Sequence, residues 1–309
     1  MNSIDKYLVG LDIGGTKTAI VVGNEKLEII NRYEFSTKPK LGFSDFFARL
    51  LNYLSSINHP IDAIGVSVGG PLDAEKGIIY NPPHLGWGTV YLLDEMKKHF
   101  ECPVKIEHDA KAGAIAEFEL GAGRGFRNII FLTLGTGLGA GIIINGEIYR
   151  GSSNMAGEVG HIRIAEDGPE VYGKSGSWES YCSGDGIAKL ARYLFPDHFS
   201  RRTTAQDISK MALSGDEKSA EVLKKSGRYL GIGLATLFDI FDPDRIILGS
   251  LSLRLPDIWL EEAKNTLVKE ALDAQAVNKV VKSMLGERIG DYAALITAFK
   301  ALKEARNGT

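Results

Sequence analysis

Residues 11–24, LDIGGTKTAIVVGN, decide the fold because the same pattern returns as LTLGTGLGAGIIIN at residues 132–145. Each stretch is typical of a strand, a glycine turn and a second strand, and the later copy continues through an Asn-Gly hairpin turn into a third strand. An offset of 121 residues (132 − 11) aligns identical residues, namely Gly14 with Gly135, Ala19 with Ala140 and Asn24 with Asn145. A repeated β-hairpin unit predicts two similar lobes that face each other across a cleft.

The segments around the two hairpins alternate between strands and helices. In the first half they are the strands LEIINRYEF, IDAIGVSVGG and PVKIE, a helix at about 43–57 and the helix DAKAGAIAEFELG. In the second half they are helices from Trp178 to Phe241, the strand DRIILG, a helix at about 256–272, the strand NKVVKSML and the closing helix DYAALITAFKALKEA. We therefore predict an α/β fold. Its smaller lobe comprises residues 1–118 plus 290–309, closed by the C-terminal helix, and its larger lobe comprises residues 119–289.

Composition excludes several classes of protein. The chain has 309 residues, and 44% hydrophobic against 24% charged residues provide a sizeable core. The balance of 36 basic and 39 acidic residues gives no support to nucleic-acid binding. Cys102 and Cys182 show no disulfide pattern, and the sequence has neither a signal-peptide pattern nor an apolar run long enough for a bilayer. We expect a cytoplasmic protein without a membrane partner.

The first hairpin has the composition of a phosphate loop. Asp12 stands at the end of a buried strand and is followed by Gly14, Gly15, Thr16 and Lys17. Glycines let the backbone approach a bulky anion, and successive N–H groups can surround phosphate. Asp12 is then placed to hold Mg²⁺ through water. The alternative is a tight hairpin whose acid is only solvated.

The second hairpin contains GTGLGAG, in which Gly135, Thr136 and Gly137 form a second candidate phosphate loop. Its spacing, with Ala140 in the third place, is compatible with a dinucleotide fingerprint. A strand follows the loop where that fingerprint requires a helix, so the context excludes a Rossmann site. Two hairpin phosphate loops on two lobes resemble the actin-like ATPase (ribonuclease H-like) arrangement.

Asp109 is the candidate catalytic base. It begins the predicted helix in EHDAKAG, so one interpretation is a helix cap. The other is a carboxylate that takes the proton from an attacking hydroxyl, as in phosphoryl-transfer enzymes. Both roles are compatible, since a helix N-terminus stabilises negative charge.

Taken together, six motifs resemble the ROK (repressor, open reading frame, kinase) sugar kinases. They are LDIGGTK, HDAKAGA, LTLGTGLGAG, AGEVGH, the Trp178-Glu179…Ser183-Gly184 segment and FDPDRIILG. Their order and spacing cover nearly the whole chain, and AGEVGH after a GTGLGAG hairpin is the most specific of them. The resemblance implies a hexokinase-type fold that uses ATP and Mg²⁺, and it suggests a homodimer.

The resemblance also implies roles for individual residues. The sugar would be bound by His108, Glu158, His161 and Glu179, with Asp109 as the base. Gly70 in the GGPLD turn would contact the sugar through its backbone. Gly249 would begin the glycine run under the nucleotide, which is shortened here to Gly249-Ser250.

Two departures from the family pattern affect the prediction. The family usually has Asn before the catalytic Asp, whereas this chain has His108, which changes the hydrogen bonds available to a sugar. The family also binds zinc with the GEVGH histidine and three cysteines, and here Glu170, Tyr172 and Ser177 stand at the cysteine positions. We predict no zinc site, because one histidine without thiolates does not make one. The loop 162–178 should instead be ordered by packing and hydrogen bonds, with the Tyr172 ring as its buried anchor.

The predicted function is ATP-dependent phosphorylation of a hexose-type sugar at its 6-hydroxyl. Glucose, mannose, fructose, an N-acylhexosamine or a glycoside would each suit two carboxylates and a histidine. Polyphosphate remains an alternative phosphoryl donor. The alternative functions are a sugar-binding regulator of the same family and an actin-like structural ATPase.

Overall fold

Strands and helices alternate along most of the protein in a computed structural model that describes residues 6–308. The strands are β1 (Tyr7–Ile13), β2 (Lys17–Asn24), β3 (Ile29–Ser36), β4 (Ala63–Val68), β5 (Leu72–Asp73), β6 (Ile78–Ile79), β7 (Val90–Tyr91), β8 (Val104–His108), β9 (Ile129–Leu134), β10 (Leu138–Ile144), β11 (Glu147–Ile148), β12 (Glu170–Val171), β13 (Lys174–Ser175), β14 (Arg245–Leu248) and β15 (Val280–Lys282). The α-helices are α1 (Gly42–Ser55), α2 (Leu92–Lys97), α3 (Asp109–Leu120), α4 (Trp178–Cys182), α5 (Gly184–Leu194), α6 (Ala205–Leu213), α7 (Glu217–Phe241), α8 (Leu251–Arg254), α9 (Asp257–Glu270) and α10 (Ile289–Asn307).

The chain forms two compact units. The first takes in the described residues up to Ala116, the segment Arg150–Met155 and the described residues from Glu287 onward. The second consists of Glu117–Tyr149 and Ala156–Gly286. The sequence led us to expect boundaries at 118/119 and 289/290. The chain passes between the two units at 116/117 and 286/287, and also at 149/150 and 155/156. The return of Arg150–Met155 to the first unit was not anticipated.

Each unit is built on a five-stranded mixed sheet, and the two sheets have the same topology. In the first unit the order is β3-β2-β1-β4-β8, with β1 antiparallel to β2 and parallel to β4. In the second it is β11-β10-β9-β14-β15, with β9 antiparallel to β10 and parallel to β14. The internal repeat predicted from the hairpins is therefore confirmed as a repeat of whole sheets.

Helix α10 covers one face of the first sheet at very close range. A side chain added at Gly65 would have its Cβ 2.5 Å from the carbonyl oxygen of Ala294, and one at Gly10 would meet the Leu295 backbone nitrogen at 2.6 Å. Leu8 and Leu295 are both fully buried where the helix meets the strands. The C-terminal helix therefore completes the core of the first unit.

Short elements account for most differences from the predicted secondary structure. The three-stranded sheet β5-β6-β7 and the β12–β13 hairpin were not predicted. NKVVKSML was predicted as one strand, but only β15 is extended, and the residues before it form a 3₁₀ helix over Ala274–Lys279. Across residues 6–308, none of the helices is both long enough and apolar enough to pass through a bilayer.

Candidate functional site

The residues predicted to bind ligands fall into two groups, one in each unit. The first unit contains Asp12, Gly14, Gly15, Thr16, Lys17, Gly70, His108 and Asp109. The second unit contains Gly135, Thr136, Gly137, Glu158, His161, Glu179 and Gly249.

The glycine turn of the first hairpin is held in shape from the end of β3. The Gly14 N–H donates to the Lys17 carbonyl at 3.0 Å, which closes the turn. Thr37 then fixes it twice: its hydroxyl donates to the Gly14 carbonyl at 2.7 Å and its N–H donates to the Thr16 carbonyl at 3.0 Å. The Lys17 ammonium donates to Glu34 on β3 at 3.0 Å. The structure thus provides an ordered backbone loop, with the lysine drawn towards the sheet.

Asp12 lies beside two other carboxylates at the end of β1. Burial, followed by the negative charges of Asp109 and Asp291, raises the pKa of Asp12 to about 7, although Lys17 and a hydrogen bond with Ser67 act in the opposite direction. Repulsion from these charges and burial both disfavour the ionised form of Asp12. The role of Asp12 towards hydrated Mg²⁺ stays a prediction.

Asp291 is engaged elsewhere. Its carboxylate accepts from Arg32 Nε at 2.9 Å, and its side chain is only 6% exposed. Of the carboxylates around Asp12, the one on Asp109 is therefore the better placed to face a ligand, since its side chain is 45% exposed.

The predicted base and two predicted sugar contacts come together at the junction of β8 and α3. Asp109 is the first residue of α3, and its Oδ1 accepts from the Ala110 N–H at 2.6 Å. The imidazole of His108 packs on Gly70, where an added Cβ would lie 2.9 Å from His108 Cδ2. Asp109 Oδ2 lies 3.8 Å from the equivalent position on Gly69. The second carboxylate oxygen thus points towards the glycine turn predicted to contact the sugar.

Two residues that sequence reasoning missed fix this junction. Glu107 is 1% exposed, and its carboxylate accepts the His108 N–H at 3.0 Å and makes a two-point ion pair with Arg150. Lys111 is 3% exposed and donates to the backbone carbonyl of Asn154 at 2.9 Å. The sequence EHDAK held a signal, because the acidic Glu107 and the cationic Lys111 each stand two residues from Asp109. Sequence alone did not show that both would be buried.

The glycine turn of the second hairpin is held by the start of α5. Gly135 donates to the Gly137 carbonyl at 3.1 Å, and the Gly184 N–H donates to the Gly135 carbonyl at 2.8 Å. The Asp185 N–H donates to the Thr136 carbonyl at 3.3 Å. Both candidate phosphate loops are therefore ordered by neighbouring backbone rather than by their own residues alone.

Glu179 joins this loop to the candidate sugar site. Its Oε2 accepts the Leu138 N–H at 2.8 Å and would lie 2.8 Å from a Cβ at Gly137. The helix that carries it, α4, is anchored by the buried Trp178 and capped by Ser177, whose hydroxyl accepts the Ser180 N–H. Ser177, one of the residues at the family's cysteine positions, thus serves as a helix cap.

Glu158 and His161 lie next to Glu179 because AGEVGH packs tightly on β10. Glu158 precedes a 3₁₀ turn, Val159–His161, and both predicted sugar ligands are exposed. A Cβ at Gly160 would lie 2.1 Å from the Leu138 carbonyl oxygen and 3.2 Å from Glu179 Cβ. The glycine allows this approach, and the second unit brings all three of its predicted sugar ligands to one place.

The loop 162–178 is ordered without Tyr172 as a buried anchor, so that part of the prediction is wrong. Tyr172 is 57% exposed and has a left-handed φ of 52° at the tip of the β12–β13 hairpin. Backbone contacts order the loop instead: Ile164 N–H donates to the Gly176 carbonyl at 2.8 Å, and Arg163 donates to the Ser175 carbonyl at 2.8 Å.

Tyr172 is nevertheless electrostatically coupled to the candidate sugar site. Partial burial, and then the charges of Glu179, Asp185 and Glu158, raise the pKa of Tyr172 to about 12. The phenol therefore stays protonated and is a hydrogen-bond donor beside the carboxylates predicted to bind sugar. The sequence had identified the residue but not this role.

The remaining predictions concern metal and Gly249. Within residues 6–308 no three or more His, Cys, Asp or Glu side chains group in a way suited to a metal ion, and Cys182 is buried in the core of the second unit. The Gly249 N–H donates to the Leu132 carbonyl at 2.8 Å, and a Cβ there would meet that oxygen at 2.7 Å. Packing on β9 thus explains this glycine, and its contact with a nucleotide stays a prediction.

Comparison with known proteins places the chain among relatives of one family. The ROK family profile matches residues 8–305. A glucokinase from Halalkalibacterium halodurans is 30% identical over 295 residues, which cover 89% of this chain and 88% of that protein. A xylose repressor from Bacillus subtilis is 30% identical over 249 residues, which cover 78% of this chain and 63% of that protein.

Solved structures agree in fold. A ROK hexokinase from Thermus thermophilus superposes with a TM-score of 0.80 at 29% identity, covering 96% of this chain and 99% of that one. A ROK glucokinase from Streptomyces griseus, in complex with glucose and AMPPNP, gives a TM-score of 0.81 at 28% identity over 95% of this chain and 99% of that one. The predicted α/β, actin-like ATPase fold is confirmed.

Proposed function

Because the chain belongs to the ROK family, we propose that it transfers the terminal phosphoryl group of ATP to the 6-hydroxyl of a hexose-type sugar. The observation that carries the proposal is the junction of β8 and α3, where Asp109 adjoins His108 and Gly69 while His108 packs on Gly70. Support for the donor and the acceptor comes from the S. griseus glucokinase, which was solved with glucose and AMPPNP.

Asp109 acts as the base in this proposal. Its Oδ1 is held by the Ala110 N–H, which fixes the plane of the carboxylate. The sugar hydroxyl attacks phosphorus as its proton passes to the Asp109 carboxylate, and the bond between phosphorus and the leaving oxygen of ADP breaks. Asp109 begins α3, and the N-terminal end of a helix attracts negative charge.

Sugar hydroxyls are the ligands that we assign to His108 and Gly70, and the family resemblance implies the same ligands for Glu158, His161 and Glu179. Carboxylates accept hydroxyl protons, and an imidazole both donates and accepts, so these side chains suit a neutral polyol. Leaving such groups unpaired is costly, which favours ligands that satisfy all of them.

The two glycine loops bind the nucleotide in this proposal. The N–H groups of Gly14 and Gly135 close their turns, so the phosphate donors would be those of Gly15–Lys17 in the first loop and of Thr136 and Gly137 in the second. Gly249 would lie under the nucleoside. Mg²⁺, when bound, neutralises charge on the transferring phosphates. Asp12 would hold it through water, and no zinc is needed.

Replacement of Asp109 tests the proposal. With ADP release coupled to a detectable reaction, glucose, mannose, fructose and N-acylhexosamines are compared as acceptors. Asp109→Asn should keep the fold and sugar binding but lower kcat by about 10²–10⁴-fold, the range for loss of a general base. Asp94→Asn is the matched control, because Asp94 is an exposed aspartate in the first turn of α2. If Asp109→Asn turns over sugar within a few-fold of wild type, Asp109 is only part of the helix start.

A sugar-binding regulator is the second candidate function. It is favoured by the 30% identity with the B. subtilis xylose repressor, although the chain spans only 63% of that protein. A regulator would bind sugar in calorimetry and release no ADP with any acceptor in the panel. Turnover of a single sugar at a rate typical of kinases decides in favour of the enzyme.

A further inference from the structure

A cavity of about 470 Å³ lies within the first unit, close to the junction that carries Asp109. Its volume falls within the range of roughly 300–1,000 Å³ that is typical of small-molecule sites. One wall is formed by residues of the β5–β6 region, from Pro71 to Tyr80. The opposite wall is the segment Arg150–Met155, which leaves the second unit to pack here.

Both walls are held in place by residues that neighbour the proposed sugar contacts Gly70 and His108. Pro71 directly follows Gly70, and its carbonyl accepts the Tyr80 N–H at 2.8 Å. The facing segment is fixed by the buried Arg150–Glu107 ion pair and by the Lys111 bond to Asn154. The cavity is therefore bordered by segments that are held by close sequence neighbours of Gly70, His108 and Asp109.

Two ion pairs neutralise most of the charge at the lining. The lining has two acids and two bases, namely Asp73, Glu75, Lys76 and Arg150. Lys76 lies 3.4 Å from Asp73, and Arg150 is neutralised by Glu107, so these pairs do not include the exposed Glu75. A lining that keeps one negative charge at an exposed side chain does not favour an anionic ligand.

The uncharged lining suits a polyhydroxylated ring. Tyr80 is 40% exposed and offers an aromatic face with a hydroxyl at its end. Ser152 and Ser153 add two hydroxyls. An apolar face bordered by donors and acceptors is the chemistry that recognises a neutral sugar ring.

We propose that this cavity binds a second sugar ring, so that the preferred acceptor is a disaccharide or glycoside and not a free hexose. The first ring occupies the junction at His108 and Asp109, and this placement rests on the proposed kinase function. The second ring stacks on Tyr80 and takes hydrogen bonds from the segment Arg150–Met155.

Calorimetry without nucleotide tests the cavity separately from catalysis. Glucose, mannose and N-acetylglucosamine are each compared with disaccharides that contain them, namely cellobiose, mannobiose and chitobiose, and sucrose is added. At least one disaccharide should bind about tenfold more tightly than its free hexose, the gain expected for one additional filled subsite. Tyr80→Ala and Ser153→Trp, the latter of which fills the cavity, should abolish this difference and leave hexose affinity within about twofold. Tyr91→Ala, at another exposed tyrosine of the same small sheet, is the matched control.

The outcomes separate the two proposals. The second-ring assignment would be overturned if every disaccharide bound no more tightly than its hexose. It would also be overturned if Tyr80→Ala and Ser153→Trp lowered the affinity for hexose and disaccharide by the same factor. Either result leaves the kinase proposal intact. Tighter disaccharide binding that depends on Tyr80 and Ser153, without ADP release in the presence of Mg-ATP, would uphold the cavity and overturn the kinase.

Discussion

The two glycine hairpins have the same strand–turn–strand arrangement, but the carboxylate beside each glycine turn comes from a different kind of element. In the first, Asp12 belongs to β1 itself and lies beside Asp109. The aligned position in the second is Thr133, and the carboxylate at that loop is Glu179, which comes from α4 and accepts the Leu138 N–H. The sheet topology and the glycine turn are thus common to both units, whereas the acidic side chain beside the turn differs between them. We propose a cation site at the first loop and hydroxyl binding at the second.

Replacing the acid of the first hairpin should separate stability from activity. Asp12→Asn removes one of three neighbouring negative charges, so the melting temperature should stay unchanged or rise. If Asp12 holds Mg²⁺ through water, kcat should fall on the order of 10²–10³-fold, as when one electrostatic contact to developing charge is lost. Calorimetric melting and steady-state kinetics measure the two effects. A lower melting temperature with near-normal kcat would make the acid structural and remove the contrast between the hairpins.

At the second hairpin, the two glutamates should respond differently. Glu179→Gln weakens a charge-assisted bond to the loop backbone and a proposed sugar contact, so it should lower stability by about 1 kcal/mol and raise the sugar KM roughly 10–100-fold. Glu158→Gln, at an exposed position, should raise the sugar KM with no change in melting temperature. Denaturant unfolding beside sugar kinetics distinguishes them. If both variants had the same unfolding free energy and the same sugar KM, Glu179 would not support the loop.

Two glycines of the second loop provide a smaller and more local test. No described atom lies within 4 Å of a Cβ placed on Gly135, whereas one on Gly137 would press on the Glu179 carboxylate. Gly135→Ala should therefore keep its melting temperature, and it should raise the KM for ATP about tenfold if phosphate approaches this backbone. Gly137→Ala should also raise the sugar KM, because it displaces Glu179. An unchanged ATP KM in Gly135→Ala would place the nucleotide away from this loop.

The smallest effect is expected at Tyr172, beside the second hairpin's carboxylates. Its left-handed φ at the first central position of a two-residue turn suits Asn better than Tyr. Tyr172→Asn should therefore raise the melting temperature by roughly 1–2 °C. Loss of the phenol donor near Glu158 and Glu179 should raise the sugar KM a few-fold. A destabilised Tyr172→Asn would restore the ring as the anchor of loop 162–178.

Local patterns predicted the hairpins and the long helices well, since alternation and helical periodicity are set by neighbouring residues. Helical periodicity predicted α10 itself, although only the structure showed how closely Gly10 and Gly65 let it approach the sheet. Features that depend on contacts between distant segments were missed. The buried pair Glu107–Arg150 joins residues 43 apart, and neither side chain differs in sequence from an exposed one. Tyr172 was misjudged for a different reason. Its orientation is set by the local β12–β13 hairpin, which is too short to be detected from sequence patterns.

The division of the chain also sets an order in time. The sheet of the first unit is assembled from residues near the start of the sequence, yet the helix that covers one face is synthesised about 170 residues later, after Glu117–Gly286. At about 5–20 residues per second, the ribosome needs roughly 10–30 s to make that intervening stretch. Throughout this interval the apolar surface around Leu8 and Ala63 has no α10 to cover it. A nascent chain paused before α10 should therefore recruit chaperones through its first sheet, even if the second unit has already folded.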